Sequence, residues 1–354
     1  MTRIHGFTSG QARVLFALVL CGFTTNNLEA QGALIPPGAP AATMRTLDQI
    51  YARLDARNPI TNASSAVTIT VPGSYYLTTN LTVSSGTAIT IATNCVTLDL
   101  NGYTIKSTAA SAAGDAIFIN SGLRNLTIEH GFIESGVTNN GNGVYAGPGF
   151  AEGIYQFGTV PVNTRISGVS VAGCLNRGIY VSFSYSTVVE DCTVQTMGGI
   201  GIYASTINRC VALDCGGTAI YGNQVSDSRG DCTGAGTGVE SQTAQNCKGS
   251  SSSGNGLFAT SALNCYGFST SGTGIYTDTA QNCSGDSNSG YGILANVTAN
   301  NCYGVSSSGT GLYAYNASYC TGNRSGGTAI QATIATGCIA YYGTNIITYK
   351  YNMP

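Results

Sequence analysis

Residues 274–302 read GIYTDTAQNCSGDSNSGYGILANVTANNC, and one pattern occurs in them twice. A glycine precedes an aliphatic residue, a second large side chain and a small residue follow, and cysteine arrives eight or nine positions after the aliphatic. Working outward, the aliphatic column runs Ile202, Ile220, Val239, Leu257, Ile275, Ile293, Leu312, Ile330, in steps of 18 or 19 residues. The cysteine column runs Cys210, Cys247, Cys265, Cys283, Cys302, Cys320, Cys338, with Ser228 filling its single gap. A fixed period of this size means one structural unit stacked on copies of itself. It decides the architecture and leaves the activity open.

Strand alternation assigns the columns to faces. The aliphatic and the small residue two places on (Ala204, Gly222, Ser241, Ala259, Thr277, Ala295, Ala314, Ala332) point inward, and the residue between them points outward. A second inward column, Ile207, Val225, Ala244, Ala262, Ala280, Ala299, Ala317, Ala335, lies three residues before cysteine. Two inward columns three positions apart cannot share a straight strand. The chain must bend between them, where Asn246, Asn264, Asn282 and Asn301 recur; asparagine tolerates left-handed backbone and can bond its own copy one rung away. With a Ser/Gly-rich loop after cysteine, the unit reads as three short strands and three bends per turn, an all-β solenoid. A left-handed hexapeptide coil would need an aliphatic every six residues, but steps of six from Ile275 reach Gln281 and Ser287. A right-handed parallel β-helix is therefore expected.

Upstream, VTITV (67–71), YYLTTNLTV (75–83), TAITIA (87–92) and VTLDLNGYTI (96–105) alternate with period two, in units longer than those near the C-terminus. The helix should span 58–345, interrupted by a Gly/Asn/Pro-rich insertion at 136–163 and followed by a tail, 346–354. Residues 46–57 place Leu47, Ile50, Tyr51 and Leu54 on one face and read as a short helix capping the open N-terminal end. Residues 31–45 form a linker. Residues 1–30 read as an export signal: Arg3 and Arg13 precede the apolar core Val14–Phe23, and cleavage is expected after Ala30. A lipoprotein signal using Cys21 is the competing reading, disfavoured by Leu20 where a small residue belongs. The expected protein is secreted or held at the cell surface, without a membrane span.

Only 8% of the 354 residues are charged, the net charge is −2, and no basic patch exists, which argues against nucleic acid. The segment GSYYLTTNLTV…AITIATNCVTLDLNGYTI resembles the N-terminal turns of the pectate-lyase-like superfamily of secreted right-handed parallel β-helices. It is most similar to uncharacterised bacterial members. The resemblance implies the fold and says little about chemistry. Polysaccharide lyases of this fold use Asp-bound calcium with an Arg or Lys base, so calcium is expected only under that reading; otherwise no cofactor is expected.

Three sets of residues are candidates. Outward aromatics Tyr180, Tyr203, Tyr221, Phe258, Tyr276 and Tyr313, extended by Phe118 and by Tyr145 or Tyr155, form a stripe able to stack on sugar rings or simply to stabilise adjacent strands. Glu190, Asp191, Arg209 and Asp227 gather the acid/base groups, with an alternating-sign column that also suits a surface ion-pair ladder. Cys215 and Cys232 are side by side off the main column and form the disulfide candidate, while the main column serves as stacked small hydrophobes. No metal site is expected, because a cysteine ladder lacks tetrahedral spacing. The leading expectation is an exported, non-catalytic β-helix contacting polysaccharide or a cell-surface glycan through the stripe. One alternative is a polysaccharide lyase or glycoside hydrolase with a groove beside the insertion, near Glu152, Arg165, Glu190 and Asp191; the other is a fibre or matrix component that self-associates end to end.

Overall fold

The computed structural model describes Thr46, residues 56–182 and residues 186–353. The expected leader, linker and nearly all of the capping helix lie outside the described residues. From Asn58 onward the chain winds as a parallel β-solenoid of about 15 turns, in which the strands of the coil bond to their equivalents in the neighbouring turns. No helix among the described residues is long and apolar enough to cross a membrane.

A minimal turn has two ladder-bonded runs rather than the three strands expected. In one turn these are Ile275–Gln281 and Ser284–Ser287. The first run contains a bend. Ile275, Thr277 and Ala280 all face inward, so alternation slips by one residue between Thr277 and Ala280, and pairing to the next turn skips Asp278 and resumes at Thr279. The aliphatic column is in exact register throughout, Ile202↔Ile220↔Val239↔Leu257↔Ile275↔Ile293↔Leu312↔Ile330, and each of its members is fully buried. Turns of 18 and 19 residues are reconciled locally. Ile293–Asn300 holds eight residues where its neighbours hold seven, and the surplus is expelled as exposed Val297, after which Ala299 pairs with Ala317 again.

The asparagine corner is as expected. Asn246, Asn264, Asn282 and Asn301 all have φ of 50–54°, and the last three each donate to the asparagine one turn back: Asn264 to Asn246 and Asn282 to Asn264 at 3.2 Å, Asn301 to Asn282 at 2.9 Å. The same left-handed position is held upstream by His130, Asp191, Arg209 and Asp227 and downstream by Tyr319. The corner also explains the cysteines. Rotating one peptide aims the preceding carbonyl at the thiol, so Cys210, Cys247, Cys265, Cys283, Cys302 and Cys320 each donate to the carbonyl two residues back at 3.2 Å. Ser228 makes the same bond at 2.7 Å, so the gap in the column keeps its hydrogen bond. Inward cysteine here is a donor as well as a small hydrophobe.

Two further columns lie in what the sequence suggested was surface loop. Gly249, Gly267, Gly285, Gly304 and Gly322 stack inside the short run, where the coil is pinched backbone against backbone; a Cβ on Gly285 would lie 2.1 Å from the Gly292 carbonyl oxygen. Beside them, Cys215↔Cys232↔Ser251↔Ser269↔Ser287↔Ser306 form one buried register line. Each of these four serines donates to a loop glycine carbonyl one turn back (2.6–2.7 Å) and accepts from the amide three residues ahead (2.8–2.9 Å).

Two boundaries differ from expectation. Glu152–Gln156 pairs with Asp115–Ile119 and with Arg177–Ser182, so the excursion expected over 136–163 ends before Glu152. Its projecting part is a hairpin, Thr138–Asn139 with Tyr145–Ala146. At the other end Thr344–Tyr351 pairs along Thr328–Thr336, so the coil continues into the stretch read as a tail. That final run exposes Ile346, Tyr349 and Tyr351.

Candidate functional site

The outward aromatics form one register line, Phe118↔Tyr155↔Tyr180↔Tyr203↔Tyr221↔Glu240↔Phe258↔Tyr276↔Leu294↔Tyr313. Tyr155, not Tyr145, is the upstream extension. The rings touch in sequence: Phe118–Tyr155 at 6.2 Å between centroids, Tyr155–Tyr180 at 5.7 Å, Tyr180–Tyr203 stacked at 4.4 Å, and Tyr203–Tyr221 tilted at 5.1 Å. After the interruption Phe258 meets Tyr276 at 5.2 Å. In-register stacking of this kind stabilises neighbouring strands and also builds a flat ledge of rings with hydroxyls at its rim. Burial, with the adjacent Tyr180 and Tyr221, pushes the Tyr203 hydroxyl up to about 12, so it remains a hydrogen-bond donor at any ordinary pH.

At Glu240 the missing ring opens a slot. Tyr221 and Phe258 stand one turn to either side, and the opening, about 420 Å³, is completed by Asn223, Gln242 and Thr260. Ser241, whose buried hydroxyl has no hydrogen-bond partner among the described residues, also contributes to its wall. Burial pushes the Glu240 carboxyl above its ordinary range, with a hydrogen bond from Thr218 opposing.

The far end of the stripe carries a charged group of which the sequence reading named only Glu152. Asp115, Glu152 and Arg177 share one register line, two residues before the aliphatics Ile117, Ile154 and Ile179. The Arg177 guanidinium sits 5.2 Å from the Tyr155 centroid and 4.6 Å from that of Tyr180, a cation over two ring faces. Glu152 Oε1 accepts from Asn176 at 3.0 Å and from Arg177 at 3.3 Å, while its buried Oε2 has no partner. Burial raises both carboxyls, most directly opposed by the Thr87 hydrogen bond at Asp115 and the Asn176 hydrogen bond at Glu152. Extending the aliphatic column upstream and reading two positions before it would have revealed the trio.

A raised folded-state pKa fixes the sign of a pH effect. Such a group's contribution to stability is complete below the unfolded carboxylate value, about 4, and is lost as pH rises through the folded value. Glu152→Gln should therefore gain on the wild type as pH rises from about 4 to about 7, measured as the difference in urea midpoint. A difference that shrinks with pH would contradict this reading of the site.

The expected acid/base residues come together along one solvent-facing corner. Arg165 pairs with Glu190, and Arg209 clamps Asp191 through two bonds of 2.7 and 2.8 Å, while Asp227 accepts from Asn246 at 2.9 Å. Asp191, Arg209 and Asp227 are successive members of the left-handed corner. The hydrogen bond from Arg209 holds the Asp191 carboxyl below its ordinary range, and both side chains are fully solvated, so the pair contributes little to stability. A groove of about 460 Å³ does lie beside the insertion, lined by residues including Ser135, Thr138, Asn139, Gln195 and Asp214. Glu152, Arg165, Glu190 and Asp191 are not among its lining. The hairpin is latched over the coil by the Tyr145 hydroxyl, 2.8 Å from Asp214 and 2.6 Å from Thr233.

Cys215 and Cys232 are register partners on adjacent turns, both buried and both free thiols, and burial pushes each thiol up. Asp99, Glu129 and His130 place ligand atoms within 4.8 Å of one another, but Arg57 already pairs with Asp99 at 2.9 Å and His130 is exposed. No protein-family model, curated protein or solved structure matches this chain.

Proposed function

We propose that this chain is an exported, non-catalytic right-handed parallel β-helix of pectate-lyase-like type that binds polysaccharide along its aromatic stripe. The observation that carries the reading is the run Phe118–Tyr155–Tyr180–Tyr203–Tyr221, five rings in successive turns and in mutual contact. A ledge of that length presents repeated ring faces at strand spacing to a polymer of repeated sugar rings. Pairing of Glu190 and Asp191 with arginines supports a binding role over a catalytic one. A hydrolase or lyase reading draws its support from a different place, the Asp115–Glu152 pair with its raised carboxyls at the end of the stripe.

The test is a glycan array run beside lyase and hydrolase assays, with and without calcium. Each stacked ring contributes about 1 kcal/mol, so Tyr203→Ala combined with Tyr276→Ala should weaken binding roughly 10- to 30-fold. Far-ultraviolet circular dichroism should be unchanged, because both rings are outward. Binding that survives the double substitution would refute the stripe as the site, and turnover abolished by Glu152→Gln would establish the enzymatic reading instead.

A further inference from the structure

We infer that the slot at Glu240 is a subsite for a sugar ring bearing a free ammonium group. The inference rests on the polysaccharide reading of the stripe and narrows it to a class of ligand. Along the contiguous part of the stripe the rings are 4.4–6.2 Å apart and leave no room between them. At Glu240 one ring is absent, so Tyr221 and Phe258 are two rungs apart, about 9.6 Å at ordinary strand spacing. That gap takes a single saturated ring or an ammonium head between two aromatic faces.

The floor of the slot selects the charge. Glu152 and Glu190 each have an arginine beside them, but among the described residues no lysine or arginine lies within ion-pair distance of Glu240. A half-buried carboxylate without a counter-ion is costly, and a cation that enters the slot removes the cost. The same cation gains from the flanking ring faces. Asn223, Gln242 and Thr260 at the wall supply donors and acceptors for ring hydroxyls. A neutral sugar could use the walls and the rings but would leave the carboxylate uncompensated.

Isothermal titration of the full chain with tetramers of glucosamine, N-acetylglucosamine and glucose, at a pH where the amine is charged, tests this. The glucosamine tetramer should bind the wild type about tenfold more tightly than the other two. Glu240→Gln should abolish that preference, bringing the glucosamine tetramer to the affinity of the neutral ones. Asp286→Asn, which removes one negative charge from the other run of the coil, should leave the preference intact. Equal binding of all three tetramers to the wild type, or a preference that survives Glu240→Gln, would overturn the assignment. If neutral tetramers bind without preference and Tyr203→Ala plus Tyr276→Ala abolishes their binding, the stripe stands and only the slot falls. Failure of every tetramer to bind sinks both.

Discussion

Gly285→Val is expected to break the coil. The added side chain would begin 2.1 Å from the Gly292 carbonyl oxygen and 2.8 Å from its carbon, backbone that cannot swing aside, and 2.6 Å from the Ile293 side chain. Overpacking of ordinary cores costs about 1–3 kcal/mol, and a clash against backbone belongs at or above the top of that range. Because each turn contacts only its neighbours, the damage should be local, dividing the coil at this turn rather than melting it uniformly. Limited proteolysis should give new cleavage between 284 and 292, with a urea transition that loses its single step. Gly326→Ala is the comparison: its φ of +81° disfavours alanine, but nothing lies within 4 Å, so the cost should be about 1 kcal/mol. Equal behaviour of the two variants would show that the pinch is not there.

The second large effect concerns a side chain that looks like loop filler. Ser269 is fully buried; its hydroxyl donates to the Gly254 carbonyl at 2.6 Å and accepts from the Gly272 amide at 2.8 Å. Ser269→Val takes the hydroxyl away from two half-buried backbone groups, and at about 1 kcal/mol for each, the low end of the cost of an unmet buried group, the loss should be about 2 kcal/mol. Ser269→Cys should cost roughly 1 kcal/mol, since a thiol is a weak donor of similar shape and Cys215 and Cys232 already occupy this line in earlier turns. Hydrogen exchange at the Gly272 amide distinguishes the two: fast in the valine variant, protected in the cysteine variant. Unchanged protection in Ser269→Val would show that the hydroxyl does not tie the loop.

How far these features could be read from the sequence depended on whether a residue type has one use or several. Isoleucine and leucine at fixed spacing have one place in a stacked strand, so Ile202 to Ile330 were assigned inward, and the tyrosines between them outward. Asparagine at a recurring bend implies left-handed backbone, which is where Asn246 to Asn301 lie. Glycine and serine are ambiguous, since Gly285 and Ser269 have the composition of solvent loops while their environment is the tightest part of the interior. Their burial follows from the approach of two backbones, which no local pattern announces. The site divided along the same line. The stripe was legible because aromatics alternate with aliphatics; the grouping of Glu152 with Asp115 and Arg177 was not, because their turns differ in length and the register joining 115 to 152 to 177 is invisible without the pairing. Local charge density drew attention to Asp191 and Arg209 instead, and the structure turns that density into a solvated ladder at a corner.

The expulsion of Val297 has an evolutionary consequence. A surplus residue is disposed of within the turn that contains it, and Ala317 opposes Ala299 as if nothing had been inserted. Unequal crossing-over in the gene could therefore add or delete whole units, even imperfect ones, without disturbing pairing further along. Each interior unit presents the same upper and lower edge, so a duplicated unit fits between any two others. The number of turns, and with it the length of the aromatic ledge, is then a quantity that selection can adjust in single steps, lengthening or shortening the protein's reach while every remaining side chain keeps its neighbours.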